Sequence, residues 1–301
     1  MLRAKSLKLR ACIWLVLVAA GIAGAAGCAV RVSKKTTVPP AQTRQALDAT
    51  QPELVAKYNQ LAKAIRSLNA TVKLKATAGS QYSGVVEQYH EVNGFILALR
   101  PSSIRVIGQA PVVNKNIFDM VSDGETFQIF IPSKNQFLTG PAKFEKPSKK
   151  PIENLRPQHL VDALFWSEIR GDAPVLFEET DENGKREYVL TVLHGSRQDT
   201  NFEIERKIRF DRTALSVSEI YNFGAGGKLE SVVHYADWQP AGDAQFARDI
   251  RVQRPHDDYE LDIQVTKITV NETIAHERFH LAQPSGAQLV EVGKEQEEPK
   301  P

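Results

Sequence analysis

The sequence predicts an α+β domain: a strongly curved antiparallel sheet of about eleven strands, with two helices packed on its concave face. Three observations predict it. Apolar residues recur with a period near 3.6 in only two stretches and with a period near 2 over most of the remainder. Tight-turn pairs such as Asp123-Gly124, Asn183-Gly184 and Gly226-Gly227 fall between alternating runs. The order along the chain is helix, several strands, one helix, several strands.

Ahead of the domain stands a leader. Arg3, Lys5, Lys8 and Arg10 form a basic region, Ile13-Trp14-Leu15-Val16-Leu17-Val18 an apolar one, and small residues run to Ala25-Ala26-Gly27-Cys28. This is the three-part layout of an export signal, and its apolar part is shorter than the roughly 20 residues a spanning helix needs. Small side chains directly before a cysteine mark a bacterial lipoprotein processing site. They let a peptidase reach the backbone, and the Cys28 thiol takes the diacylglycerol that anchors the new N-terminus. Ala25 stands where that motif usually carries Leu, so an unlipidated signal cut near Ala26 is the alternative, and a retained membrane anchor a third reading. Ala29 after the cysteine favours transfer to the outer membrane, on the leaflet facing the periplasm.

The whole chain carries 38 basic and 36 acidic residues, a net charge of +2. Loss of residues 1–27 removes four basic groups and no acidic one, leaving a near-neutral protein with no global support for nucleic-acid binding. Cys12 lies in the leader and Cys28 is consumed by lipid, so the processed chain has no disulfide. Expected boundaries are 1–27 for the signal peptide, 28–45 for the lipidated tether with Pro39-Pro40, 46–272 for one domain and 273–301 for an extended or disordered tail.

Within the domain, Thr50-Gln51-Pro52-Glu53 reads as a cap and first turn, and Leu54, Tyr58, Leu61, Ile65 and Leu68 form the apolar stripe of a helix. From Asn69 the period changes: Val72, Leu74 and Ala76 alternate with Lys73, Lys75 and Thr77. Further strands are expected at 84–92, 94–99, 104–108, 117–122, 126–132 and 136–139, as an antiparallel meander. After a Lys/Pro-rich loop at 146–151, Pro157 starts a second helix through Leu160, Val161, Leu164, Phe165, Trp166 and Ile169, ended by Gly171. Its apolar residues cover more than one face, as in a helix inserted against a sheet. Strands resume at 187–194, 202–210, 215–222, 229–238, 246–252 and 259–270.

The order of these features resembles the bacterial lipoprotein-carrier superfamily, the LolA/LolB-like fold, over about residues 51–268. The carrying residues are the first helix into Ser67-Leu68-Asn69-Ala70, the strand and bend Gly94-Phe95-Ile96-Leu97-Ala98-Leu99-Arg100-Pro101, the Asp123-Gly124 hairpin before Phe127, and the helix after Pro157. The resemblance implies an incomplete β-barrel with a helical lid over a hydrophobic cavity for acyl chains of lipoproteins or lipids. It also implies envelope transport proteins as partners. That group includes soluble carriers, a lipidated outer-membrane acceptor and a stress-sensing regulator, and the anchored N-terminus favours the acceptor. Cavity candidates are Val72, Leu74, Phe95, Leu97, Phe118, Met120, Phe127, Ile129, Phe165 and Trp166, which read equally as core. Arg100 is the counterpart of a lid-holding arginine, or an exposed strand-end arginine. Tyr82 is the counterpart of a membrane-insertion residue, or an ordinary hairpin aromatic.

One motif points elsewhere. His276-Glu277-Arg278-Phe279-His280 matches H-E-x-x-H, which on a helix binds zinc and activates water. Pro284 and Gly286 would end such a helix within a turn, and Glu291 is the sole nearby third ligand. The histidines His194, His234 and His256 lack ligand spacing, and no G-x-S-x-G surrounds Ser196. The expectation is therefore a non-enzyme without cofactor or metal. It would bind acyl chains for transfer or insertion at the outer membrane, or else bind a protein partner as an envelope sensor or assembly factor.

Overall fold

The computed structural model describes residues 45–80, 85–142, 156–182, 184–195 and 201–292. The leader, Cys28, the tether through Arg44, Tyr82, the loop at 146–151, Asn183 and Ser196 lie outside the described residues.

Helix α1 spans Gln51–Ala64. Its start follows from chemistry at Thr50, whose backbone N–H and hydroxyl both donate to the Glu53 carboxylate, at 2.7 and 2.8 Å. Seven strands follow: β1 (Ser67–Ser80), β2 (Val85–Gln88), β3 (Val92–Leu99), β4 (Ser103–Gln109), β5 (Asn116–Ser122), β6 (Thr126–Ile131) and β7 (Gln136–Pro141). Helix α2 is Pro157–Leu164. Then come β8 (Val175–Glu182), β9 (Lys185–His194), β10 (Glu203–Asp211), β11 (Ser216–Gly224), β12 (Lys228–Ala241), β13 (Ala244–Arg254), β14 (Tyr259–Val270) and β15 (Gln288–Glu291).

All fifteen strands belong to one curved, open sheet in the order β15-β7-β6-β5-β4-β3-β1-β14-β13-β12-β11-β10-β9-β8, with β2 paired to β1 alone. Neighbours are antiparallel except β15, which runs parallel to β7. The pairing of β1 with β14, Leu68 opposite Val270 through Ala78 opposite Tyr259, joins the two meanders into one sheet. The Asp123-Gly124 turn forms as expected, with Gly124 at φ +98° and the Asp123 carboxylate accepting from the N–H groups of Glu125 and Thr126.

Three expectations are corrected. Among the described residues the sheet has fifteen strands rather than about eleven: each of the thirteen alternating stretches pairs as a strand of its own, and Val175–Glu182 and Gln288–Glu291 also pair. The second helix stops at Leu164, since Phe165 is extended (φ −124°, ψ 94°), and residues 165–169 continue as a non-helical strap. The chain after 272 also contributes structure. The Glu272 carbonyl accepts from Ser67 Oγ, the Arg278 carbonyl from Arg105 on β4, and the Gly286 carbonyl from Asn135 beside β7. This path leads to β15.

Both helices pack on one face of the sheet, here termed inner, which carries one apolar core: Leu54, Tyr58 and Ala62 of α1, Leu160, Val161 and Leu164 of α2, and strand residues including Val72, Ile96, Ile104, Val106, Leu190, Ile208, Phe210 and Ile263. Leu97, Val121 and Phe137 are buried but stand outside it, as do Ile274 and Ala287. Strand alternation puts Leu97, Arg105 and Val121 side by side on the outer face, where the 273–287 segment covers them. Arg105 is fixed there by a two-pronged pair with Asp119 at 3.0 and 2.7 Å. Leu97→Ala is therefore expected to loosen this covering segment, at a cost of about 2 kcal/mol. Limited proteolysis should cut after residue 272 sooner, with binding on the inner face unchanged.

Candidate functional site

Helix α1, α2 and the strap after α2 form a cover over the inner face, and two arginines of the sheet hold that cover by its backbone. Arg100, at the end of β3 and followed by a cis bond to Pro101, donates from Nε to the Ile65 carbonyl at 2.9 Å. Its Nη2 donates to Ala62 O at 2.6 Å and to Trp166 O at 3.0 Å. The first two are orphan carbonyls at the C-terminal end of α1, where positive charge is also favoured by the helix dipole. The guanidinium lies 4.8 Å from the Phe165 ring centroid. Burial lowers the Arg100 pKa from its ordinary value, and nearby Glu168 opposes the shift.

Arg206 of β10 is the second hold. It is buried, and Nη1 donates to the Tyr58 hydroxyl at 2.9 Å and to the Ser167 carbonyl at 2.7 Å, while Nε and Nη2 bond Glu205. Asn59 of α1 completes the seam, its side chain donating to Ile169 O at 3.0 Å and accepting from Ile169 N at 2.8 Å. Strap residues 166, 167 and 169 are thus each tied by a side chain.

Trp166 sits at the centre. Its ring stacks on Tyr58 (5.3 Å between centroids, 9° between planes) and meets Tyr235 and Trp238 edge-on at 5.1 and 5.9 Å. Its Nε1 donates to the Tyr235 hydroxyl at 2.8 Å, and that hydroxyl donates to Ala163 O at 2.9 Å. Burial pushes the Tyr58 and Tyr235 phenols upward, so both are neutral donors. Beside the cluster lies an apolar cavity of about 30 Å³, lined by Leu61, Ile65, Arg100, Trp238, Phe246 and Ile250 among others. A polar cavity of about 170 Å³ lies on the Arg206 side.

Of the sequence-predicted cavity residues, the register brings Val72, Leu74, Phe118, Met120, Phe127 and Ile129 to the inner face, where Phe165 and Trp166 also pack. Phe95 and Leu97 are on the opposite face: alternation with Ile96 and Ala98, both in the core, turns them outward, and Phe95 is 42% exposed. Phe165 and Trp166 touch or approach the cavities. Val72 and Leu74 of β1 and Met120 of β5 fill another part of the core, with Phe118 and Ile129 packed against it, while Phe127 is buried outside that cluster. Arg206, Tyr235, Trp238 and Phe246 were not among the sequence candidates. A signal for Arg206 exists: Ile204, Arg206, Ile208 and Phe210 share one phase of a period-2 run, which places a charge on the apolar side.

Elsewhere, His276 and Glu277 stand exposed in a four-residue 3-10 turn that ends before His280, so the two histidines do not share a helical face. No cluster of metal-ligating side chains occurs among the described residues.

His159 of α2 is half-buried, with Nδ1 2.5 Å from the Tyr259 hydroxyl of β14. Burial, with Arg254 and Arg156 adding repulsion, lowers its pKa from 6.5 to about 3. The unfolded chain binds a proton near pH 6.5 that the folded state refuses, so this group removes stability as pH falls below 6.5 and continues to do so toward 3. At pH 5 the loss is expected to be about 2 kcal/mol. Urea unfolding at pH 7 and 5 should show it, and His159→Phe should flatten the slope.

Neither a family model nor a curated protein matches the chain. Among solved structures it is similar to a LolA superfamily protein from Nitrosomonas europaea, at 10% identity and a TM-score of 0.47 over 78% of this chain and 99% of that one. It is also similar to a DUF1329 family protein from Desulfovibrio piger, at 12% identity and 0.46 over 75% and 94%. A third is a domain described as an outer-membrane lipoprotein-sorting protein, from Vibrio parahaemolyticus, at 9% identity and 0.45 over 75% and 94%. The first bears the name of the superfamily that the order of sequence features resembles. Likenesses at these scores carry no functional weight, and the groups that do are the chain's own.

Proposed function

We propose that this is a lipid-anchored, non-enzymatic protein of the bacterial envelope, held through Cys28 at the outer membrane. It takes up acyl chains of lipoproteins or lipids between its sheet and its two helices and passes them on. The observation that carries this reading is the arginine-held cover. Arg100 grips three backbone carbonyls of α1 and the strap directly beside an apolar cavity, and such bonds can open without breaking the sheet. The state described is closed: its apolar cavity of about 30 Å³ is far below the roughly 300–1,000 Å³ of ligand pockets. Loading therefore requires α1 and the strap to lift. Hydrocarbon leaving water, at about 25 cal/mol per Å², supplies the driving force, and no residue need act as acid, base or nucleophile.

A second reading has its own observation. The filled interior suits an envelope sensor or assembly protein that binds a protein partner and never opens. The two separate in one experiment: express the full exported chain with Cys28→Ser, which removes its own acyl chains, and identify co-purifying molecules by mass spectrometry. Stoichiometric acylated molecules, reduced at least tenfold by Leu61→Glu in a protein that still folds, are expected. An empty protein that also refuses a fluorescent fatty acid removes the carrier reading and leaves the partner-binding one.

A further inference from the structure

Two separate cavities share a wall under α2 and the strap. The apolar one lies beneath Leu61, Ile65 and Phe246, the polar one has about 170 Å³, and the rings of Trp166 and Tyr235 line both. The polar chamber is sorted by depth. Arg206, Arg254, Asn222 and Ser231 form its inner wall, all buried or half-buried, whereas Asp162 and Glu230 are exposed at its rim. We propose that this chamber is a headgroup site for a zwitterionic, phosphate-bearing amphiphile. The phosphate lies against Arg206 and Arg254, the ammonium meets Asp162 and Glu230, and the acyl tail runs past Trp166 into the apolar space. The proposal rests on the acyl-binding reading above and adds the head to it.

The chamber has the features such a head needs. Its volume of about 170 Å³ is enough for a small polar group and too little for a folded peptide. The cations are fixed before any ligand arrives: Arg206 by Glu205, Tyr58 and Ser167, and Arg254 by Asp257 at 2.7 Å from Nε. Preorganised donors lose little on binding, and planar guanidiniums suit phosphate oxygens. Ser231 and Asn222, bonded to each other at 3.0 Å, place neutral polar groups between them. An arginine serving only to hold the cover would require its three protein partners and no solvent-sized room beside it. The carboxylates at the rim argue against a simple anion, since they would repel one that lacks a positive group. The site is also coupled to the cover, because Arg206, which lines the chamber, holds Tyr58 and Ser167 through Nη1.

The test uses the full exported chain with Cys28→Ser, titrated calorimetrically with four probes: lysophosphatidylethanolamine, a monoacylglycerol of equal chain length, glycerophosphoethanolamine and inorganic phosphate. The phospholipid is expected to bind at least tenfold tighter than the monoacylglycerol. Arg254→Gln should reduce that ratio below threefold while leaving monoacylglycerol affinity unchanged. Glu230→Gln, on the exposed rim where folding is not at stake, should lower it about threefold. Equal affinity for the two lipids overturns the headgroup site and leaves acyl binding standing. Glycerophosphoethanolamine binding with no gain from an acyl chain upholds the headgroup site and removes the acyl reading. Phosphate binding as tight as glycerophosphoethanolamine overturns the zwitterion assignment, and a lipid ratio unmoved by either variant overturns the location. No binding of any probe overturns both readings.

Discussion

Trp166→Ala is expected to destabilise the domain by about 3 kcal/mol, lowering its melting temperature by roughly 6–12 °C, and to increase its uptake of apolar probes. The loss has identifiable parts. The indole stacks on Tyr58, meets Tyr235 and Trp238 edge-on, and donates from Nε1 to the Tyr235 hydroxyl. Truncation forfeits those ring contacts, each pair contributing about 0.5–1.5 kcal/mol beyond area. It also leaves a void, because a packed interior relaxes only in part. The Tyr235 hydroxyl keeps its bond to Ala163 O, so no buried phenol is orphaned. The cost should therefore stay below that of breaking a polar network. The gain follows from position: Trp166 lines both cavities, and its removal joins them. Urea unfolding and a fluorescent fatty acid titration check both halves. Lower stability with no gain in uptake would mean that the helices collapse onto the vacated space, and that Trp166 is core alone.

What could be read from the sequence followed the strength of local signals. Alternation at 72–76 and the Asp123-Gly124 turn locate strands whose pairing the structure supplies, because period and turn chemistry are local properties. The strand Val175–Glu182 was illegible for the opposite reason. Five of its eight residues are acidic or Thr, and only the pairing of Val175–Glu182 with β9 makes it a strand. Phe165, Trp166 and Ile169 continue a helical apolar pattern, yet the chain leaves the helix at Phe165. There the carbonyls of residues 166 and 167 are claimed by Arg100 and Arg206 from distant strands, and tertiary bonds override propensity. Phe95-Ile96-Leu97-Ala98-Leu99 is apolar without a break, so periodicity could not say which face it buries. The answer depended on residues 273–287, read as tail, which cover the outer one. Arg100 was singled out only through the resemblance, and its three carbonyl bonds are non-local, while the apolar phase of Arg206 was masked by Glu205 and Lys207, since a charged run ordinarily means solvent.

Arg100→Met is expected to lower stability by about 2–4 kcal/mol and to speed acyl uptake by at least tenfold. Three carbonyls, of Ala62, Ile65 and Trp166, share this one guanidinium. Hydrogen bonds to a charged group contribute about 1.5–3 kcal/mol each when counted alone. The sum is less than three times that, since the two α1 carbonyls lie at a helix end where water can replace part of what is lost. Methionine keeps much of the aliphatic stem and its packing near Phe165, so the loss reports the polar grip and the 4.8 Å ring contact. Arg100→Lys should fall between, because a single ammonium cannot span carbonyls from two segments as a planar fork does. The kinetic half distinguishes a latch from a brace. If lifting α1 and the strap limits entry, weakening the grip by 1.4 kcal/mol or more raises the stopped-flow association rate of a fluorescent fatty acid tenfold, and equilibrium affinity rises with it as the closed state loses its advantage. If stability falls while the rate stays at the wild-type value, the grip is part of the folded framework in both states. The opening must then be sought at the Arg206 and Asn59 end of the strap, where Tyr58, Ser167 and Ile169 are held.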